Sequence, residues 1–154
     1  MPHGKSSAAE KKPGAPPSPS ALVRPGTVVY DDLTRAVAVE GPFARVKAQA
    51  LAGLMQHGYS DEEIWTLVVP KRTLARRNAA KEPLTVEETD KALRLERIAV
   101  HAERVFGDPA KAHRWLRKPK RALKGETPLA YLASEAGARI VEGMLHRIEH
   151  GIFA

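Results

Sequence analysis

The residues best suited to chemistry are two histidines and a glutamate near the end of the sequence. His146, Glu149 and His150 follow the spacing H-x-x-E-H, which inverted zinc peptidases use to place two histidine ligands one helical turn apart. Such an enzyme needs a further carboxylate ligand downstream, and only four residues follow His150. We therefore expect a solvent-exposed face of an amphipathic helix here, and no metal site.

Other catalytic arrangements find no support in the sequence. The chain contains no cysteine, which excludes thiolate nucleophiles and Cys-ligated zinc or iron–sulfur centres. No glycine-rich phosphate loop occurs, and no nucleophile stands beside an evident base. We predict a binding protein that is not an enzyme and that needs no cofactor.

A first cluster of basic residues lies in a predicted helix from Lys71 to about Ala80. Between Lys71 and Lys81 there are five basic residues and no acidic one. If Leu74 points into the core, several neighbours could face the major groove of DNA or its flanking phosphates. These candidate DNA-binding residues are Lys71, Arg72, Thr73, Arg76 and Arg77. A solvated basic helix with no role in nucleic-acid binding explains the charge equally well.

A second basic cluster surrounds Trp115 and Leu116. The segment from Lys111 to Lys124 contains seven basic residues and no acidic one, which suits a phosphate or an acidic protein surface. The formal net charge of +7 likewise favours a polyanionic partner. For Trp115 and Leu116 themselves we expect buried positions that anchor a loop.

Helices are predicted to position both clusters. Their starts are marked by the capping boxes at Ser60 and Thr85 and by Asp108 before Pro109. Their ends are marked by glycine or by a following proline. The predicted helices run from Phe43 to about His57, Ser60 to about Val68, Lys71 to about Ala80, Thr85 to about Gly107, Asp108 through Leu116, and Ser134 to near Gly151, with a further start at Thr127. No alternating strand pattern competes, so the predicted fold class is all-α.

The sequence is divided into three predicted segments. Residues 1–27 hold six of the twelve prolines and are expected to form a disordered basic arm. Residues 28–82 are assigned to a helix-turn-helix domain, and residues 83–154 to a C-terminal domain. From Thr27 to Val39 the pattern fits either a strand or a helix. No apolar run is long enough for a membrane span or a signal peptide, so we expect a cytoplasmic protein.

An ordered series of motifs resembles the Xre/MbcA/ParS antitoxins. The similarity runs from about Phe43 to Ala154. It departs from the family at Val68 and Pro70, in a turn where many members carry glycine and serine, and at Lys120, where asparagine is common. The matching motifs are Ser60-Asp61-Glu62-Glu63-Ile64, Arg72-Thr73-Leu74-Ala75-Arg76-Arg77, Arg114-Trp115-Leu116, then Pro119, Leu123, Gly125 and Thr127-Pro128-Leu129, and Arg147-Ile148-Glu149-His150-Gly151.

The resemblance implies a type II antitoxin with two binding activities. An N-terminal Xre-like helix-turn-helix would repress the operon, and a C-terminal helical domain would occlude the active site of a RES-domain toxin that consumes NAD or transfers ADP-ribose from it. The partners would be this toxin, operator DNA and a second copy of the chain. The expected toxin-binding residues are Arg114, Trp115, Lys118, Gly151, Ile152, Phe153 and Ala154. The alternative is a stand-alone helix-turn-helix transcription regulator whose C-terminal half only oligomerises.

Overall fold

The computed structural model describes residues 32–152. The predicted arm at residues 1–27, and Phe153 and Ala154, lie outside this part of the chain. The described residues form helices and contain no strand, which confirms the predicted all-α class for them. None of these helices combines the length and the apolar character needed to cross a membrane. In chain order they are α1 (Asp32–Glu40), α2 (Ala52–Gln56), α3 (Asp61–Leu67), α4 (Lys71–Ala80), α5 (Val86–Phe106), α6 (Pro109–Arg117), α7 (Pro128–Tyr131) and α8 (Glu135–Glu149), with 3-10 turns at Ala48–Leu51 and Arg121–Leu123.

The helix starts predicted at Ser60, Thr85 and Asp108 are confirmed by their capping hydrogen bonds. The amide of Glu63 donates to Ser60 Oγ at 3.2 Å, and the Glu63 carboxylate accepts from the Ser60 amide at 2.8 Å. Thr85 and Glu88 repeat the arrangement at the start of α5. At α6, the Asp108 carboxylate accepts from two amides of the first turn. Each cap satisfies backbone donors that the helix itself leaves unpaired.

The first predicted helix was wrong over its first turn. A helix was expected from Phe43, but Phe43 is 79% exposed and helical structure begins only at Ala48. The reason lies at Val46, whose carbonyl accepts from the Leu84 amide at 2.9 Å and whose amide donates to Thr89 Oγ1 at 3.3 Å. Both backbone groups are therefore committed to a distant segment and cannot enter a helical ladder.

Helix α5 forms the centre of the fold. It packs against α6, α8, α1 and α2. Its fully buried alanines keep the side chains at these contacts small, so that neighbouring helices can approach closely. Buried residues on both sides of the predicted domain boundary at 82 and 83 belong to one hydrophobic cluster. They include Leu54, Ile64, Val69, Leu95, Ile98, Leu116, Val141 and Leu145.

Candidate functional site

Helix α6 separates a buried face from a strongly basic exposed face. Ala112, His113 and Leu116 are buried, which confirms the predicted core position of Leu116. The opposite face carries the side chains of Lys111, Arg114 and Lys118, all exposed. The 3-10 turn that follows α6 adds further exposed cations to this side of the molecule. We call the exposed set the basic surface; its members are Lys111, Arg114, Lys118, Arg121 and Lys124.

Trp115 lies at the edge of the basic surface and is only half-buried. One face of its ring packs against Phe106, with 5.6 Å between ring centroids. The Lys120 ammonium lies 4.9 Å from the ring centroid, within range of a cation–π contact. Partial burial and the neighbouring Lys118 lower the pKa of Lys120. Trp115 therefore anchors the loop, as expected, but part of its ring remains available to a partner.

The loop after α6 is held by its own backbone. The Lys120 amide donates to the Glu126 carbonyl, and the Gly125 amide donates back to the Lys120 carbonyl, both at 3.0 Å. Leu123 is buried beneath the loop. The backbone that carries the cations of the basic surface is therefore held in place. Within residues 32–152, none of these cations forms an ion pair. A binding partner would not have to break an ion pair within this part of the chain to reach them.

Arg117, on the same helix, has a structural role instead. Its guanidinium donates to both oxygens of Glu63, at 2.7 and 2.9 Å, and to the Gly58 carbonyl at 2.8 Å. Partial burial would raise the pKa of Glu63, but the hydrogen bonds from Arg117 and from the Ser60 amide outweigh it and lower that pKa. This contact fastens α6 to the start of α3.

Gly58 and His113 close the same junction. Gly58 has φ +93°, and a Cβ there would lie 2.7 Å from the His113 ring, so only glycine fits. Burial is the main influence that lowers the pKa of His113. Beside this pair lies an open groove of about 800 Å³, lined among others by Pro109, Arg114 and Lys118. The groove and the basic surface are continuous through Arg114 and Lys118.

The predicted end of α8 at Gly151 is confirmed. Gly151 has φ +66°, its amide donates to the Ile148 carbonyl at 3.1 Å, and the Ile152 amide donates to the Arg147 carbonyl at 2.8 Å. This pair of bonds is a Schellman cap. Ile152 leaves the helix 59% exposed. The remaining two predicted toxin-binding residues, Phe153 and Ala154, lie outside the described part of the chain.

Helix α4 displays most, but not all, of the predicted DNA-binding residues. Lys71, Arg72 and Arg76 are exposed, and Thr73 is half-buried. Arg77 instead turns inward: its side chain is 11% exposed and lies 3.2 Å from a Glu88 oxygen. Arg77 also donates to the Pro83 carbonyl at 3.3 Å. It therefore joins α4 to the start of α5 and is not presented on the exposed face with Arg72 and Arg76.

The structure also brings together groups that the sequence did not connect. Lys71 Nζ lies 4.5 Å from the ring centroid of Trp65, across the turn between α3 and α4. His101 of α5 lies against His146 and Glu149 of α8. His101 and Glu149 are 48 positions apart, so no local spacing signalled this cluster.

Part of the chain that carries these surfaces is similar to a known protein domain. Residues 101–151 match the antitoxin Xre/MbcA/ParS C-terminal toxin-binding domain. This match covers the end of α5 and all of α6, α7 and α8, and it therefore includes the basic surface and the cluster around His146.

Three curated proteins named Antitoxin Xre are similar to the chain. The one from Pseudomonas putida is 44% identical over 84 residues, which cover 54% of this chain and 53% of that protein. Its counterpart from Photorhabdus laumondii is 39% identical over 82 residues, covering 53% and 55%. The one from Yersinia enterocolitica is 34% identical over 87 residues, covering 56% and 59%. The chain thus spans little more than half the length of these relatives. Together, these matches indicate that the chain is related to antitoxins of the Xre/MbcA/ParS family.

Proposed function

We propose that the protein is a type II antitoxin that binds and inhibits a RES-domain toxin. The observation that carries the proposal is the match of residues 101–151 to a toxin-binding domain, because those residues also carry the basic surface. Cations with no ion-pair partner among residues 32–152 are suited to an acidic surface on another protein. The antitoxin acts in the cytoplasm, by binding and without catalysis.

Trp115 is the proposed centre of the toxin-binding surface. Tryptophan and arginine are the residues that most often dominate binding energy at protein interfaces. Trp115 and Arg114 are neighbours on α6, and Lys118 follows one turn later. The fixed loop and the Phe106 ring hold Trp115 in place, so little side-chain entropy is lost when a partner covers it. Arg114 and Lys118 would pair with carboxylates of the toxin.

We expect Trp115→Ala to weaken both toxin binding and the fold, each by a comparable free energy. A fully buried tryptophan costs about 3 to 5 kcal/mol on truncation to alanine, and we expect about half of that here because the ring is half-buried. Toxin affinity should fall by at least about 2 kcal/mol, as at an interface hot spot. The measurements are urea unfolding and calorimetric titration with the toxin.

The matched control for this experiment is Trp65→Ala. Trp65 is also half-buried and also carries a lysine ammonium over its ring, but it lies on α3. We expect a similar loss of stability with unchanged toxin affinity. If both variants bind the toxin as the parent does, Trp115 has only a structural role.

The segment that follows α8 is proposed to inhibit the toxin. The Schellman cap directs Ile152 away from the helix with most of its side chain exposed, and Phe153 follows in the sequence. Apolar side chains in this position are suited to an apolar cleft on a partner. We propose that residues Gly151 to Ala154 enter the NAD cleft of the toxin and exclude the dinucleotide.

Operator DNA is the proposed second partner, bound by α4. The exposed side of one helix carries three cations, Lys71, Arg72 and Arg76, with Thr73 beside them. Arg76 also donates to a Glu82 oxygen at 3.4 Å, but its side chain is 62% exposed. Phosphate contacts from such cations supply most of the affinity for DNA and make it dependent on salt. A dimer of the antitoxin would present two copies of α4 to a two-fold operator.

We expect the double variant Arg72→Ala with Arg76→Ala to bind operator DNA more weakly. Two lost phosphate contacts should flatten the slope of log K against log salt by about two units. The measurement is a gel-shift salt titration with DNA from upstream of the operon. The control Lys118→Ala with Arg121→Ala removes the same charge from the basic surface, and it should leave this slope unchanged. If the slope of log K against log salt is the same for both double variants, α4 has no DNA-binding role.

The test of the whole proposal is growth rescue. A RES-domain toxin from the same operon is induced with and without this chain. Restored growth and preserved NAD levels in the presence of the chain are the expected result. If the chain represses the operon but leaves the toxin active, the alternative of a transcription regulator with an oligomerisation domain is correct.

A further inference from the structure

Three possible metal ligands meet where α5 packs against the last turn of α8. The ligand atoms of His101, His146 and Glu149 all lie within 4.8 Å of one another. Nε2 of His101 is 3.3 Å from Oε2 of Glu149, and Nδ1 of His146 is 3.8 Å from the same oxygen. Two imidazoles and one carboxylate are a common ligand set for zinc and neighbouring transition metals.

The spacing of the three groups is close to what a tetrahedral ion requires. Ligand bonds of about 2.0 to 2.1 Å place the ligand atoms of a zinc ion about 3.3 Å apart. His101 and Glu149 already meet this distance. His146 has to move closer, because its Nδ1 lies 3.8 Å from Oε2 of Glu149 and the three ligand atoms are separated by up to 4.8 Å. Its side chain is 65% exposed, which gives it room to rotate. The same exposure leaves the fourth position open to water.

The surrounding residues keep two of the ligands in place. The His101 side chain is only 13% exposed between the two helices. Arg104 Nε lies 2.9 Å from Oε1 of Glu149, and Arg104 Nη2 donates to Oε2 at 3.3 Å. The guanidinium therefore orients the carboxylate and shares the oxygen that faces the imidazoles. Because Arg104 shares the charge of this carboxylate, we expect weaker binding than at a closed structural zinc site with four protein ligands.

We propose that His101, His146 and Glu149 bind one divalent transition-metal ion of the zinc class, with water as the remaining ligand. This differs from the expectation from sequence that no side chain here binds metal. It also differs from the peptidase pattern, because His101 takes the place of His150. The ion would fasten α5 to the last turn of α8 and fix the point from which Ile152 departs. The proposal does not depend on the function of the basic surface or on the identity of any partner.

The site is tested on the full chain, without an affinity tag and after treatment with a chelator. Co²⁺ alone is titrated and followed by its visible absorption, and Zn²⁺ alone is followed by calorimetry and by thermal melting. We expect one ion per chain and a higher melting temperature that a chelator reverses, because an ion that binds only the folded state stabilises it. Absence of stoichiometric binding in the parent protein would overturn the proposal.

Three variants distinguish this ligand set from a simple pair of histidines on one helix. His146→Ala and His101→Ala should each reduce affinity by at least about tenfold, since even groups that only orient a ligand have effects of that size. His150→Ala should leave affinity nearly unchanged, although its ring centroid lies 4.7 Å from that of His146. Loss of binding in His150→Ala with retention in His101→Ala would assign the ion to His146 and His150 and refute the proposed site. His146 is largely exposed, so its variant reports on the site even if His101→Ala fails to fold.

Discussion

Gly137→Ala is expected to destabilise the protein severely. Gly137 lies in the first turn of α8, where its amide donates to Ser134 Oγ at 3.0 Å. A Cβ at this position would collide with the carbonyl oxygen of Tyr131, which is backbone and cannot rotate away. Relief would require α7 and α8 to move apart, at a cost of about 3 kcal/mol or more. We expect the midpoint of urea unfolding to fall accordingly.

The matched control is the same substitution six residues later in the same helix. A Cβ on Gly143 meets nothing within 4 Å, and alanine is favoured over glycine inside a helix by about 1 kcal/mol. Gly143→Ala should therefore raise stability, while Gly137→Ala lowers it. If the two substitutions change the free energy of unfolding in the same direction, then α7 does not pack against α8 as described.

Removing the residues after Gly151 should separate toxin binding from toxin inhibition. Gly151 completes the cap of α8. Among the described residues, a chain that ends there loses the bond from the Ile152 amide to the Arg147 carbonyl, worth about 1 kcal/mol. The basic surface is untouched, and we expect the shortened chain to copurify with the RES-domain toxin. NAD consumption by the bound toxin should return to nearly the rate of the free toxin.

The control for this truncation is Met55→Ala. Met55 is also a large apolar side chain with about half of its surface exposed, but it lies on α2, outside residues 101–151. Its truncation should leave inhibition intact. Full inhibition of the toxin by the chain ending at Gly151 would refute an inhibitory role for the final segment.

Local signals in the sequence predicted the helix boundaries well. Ser60, Thr85 and Asp108 cap helices because their side chains satisfy amides two or three residues away, and such contacts depend only on nearby sequence. The segment from Phe43 to Lys47 was mispredicted for the opposite reason. Its apolar spacing fits a helix, but the backbone of Val46 is bonded near Leu84 and Thr89, which no local pattern reveals.

The basic clusters show the same difference between features set by nearby sequence and features set by distant contacts. Counting charges located both clusters but could not separate free cations from paired ones. Arg77 and Arg117 look like their neighbours in the sequence, yet Arg117 pairs with Glu63 over 54 positions and Arg77 is held by Glu88. Trp115 was expected in the core, but it is only half-buried, packed against the hydrophobic cluster and Phe106. The cluster around His101 likewise exists only because α5 and α8 pack together.

The most direct test of the central claim is copurification from the native operon followed by measurement of the complex mass. We predict that the chain elutes with a RES-domain protein in a complex of fixed stoichiometry, and that Arg72→Ala with Arg76→Ala leaves this complex intact. Trp115→Ala should weaken it. Elution of the chain alone, with the RES-domain protein separate and active, would contradict the proposed antitoxin function.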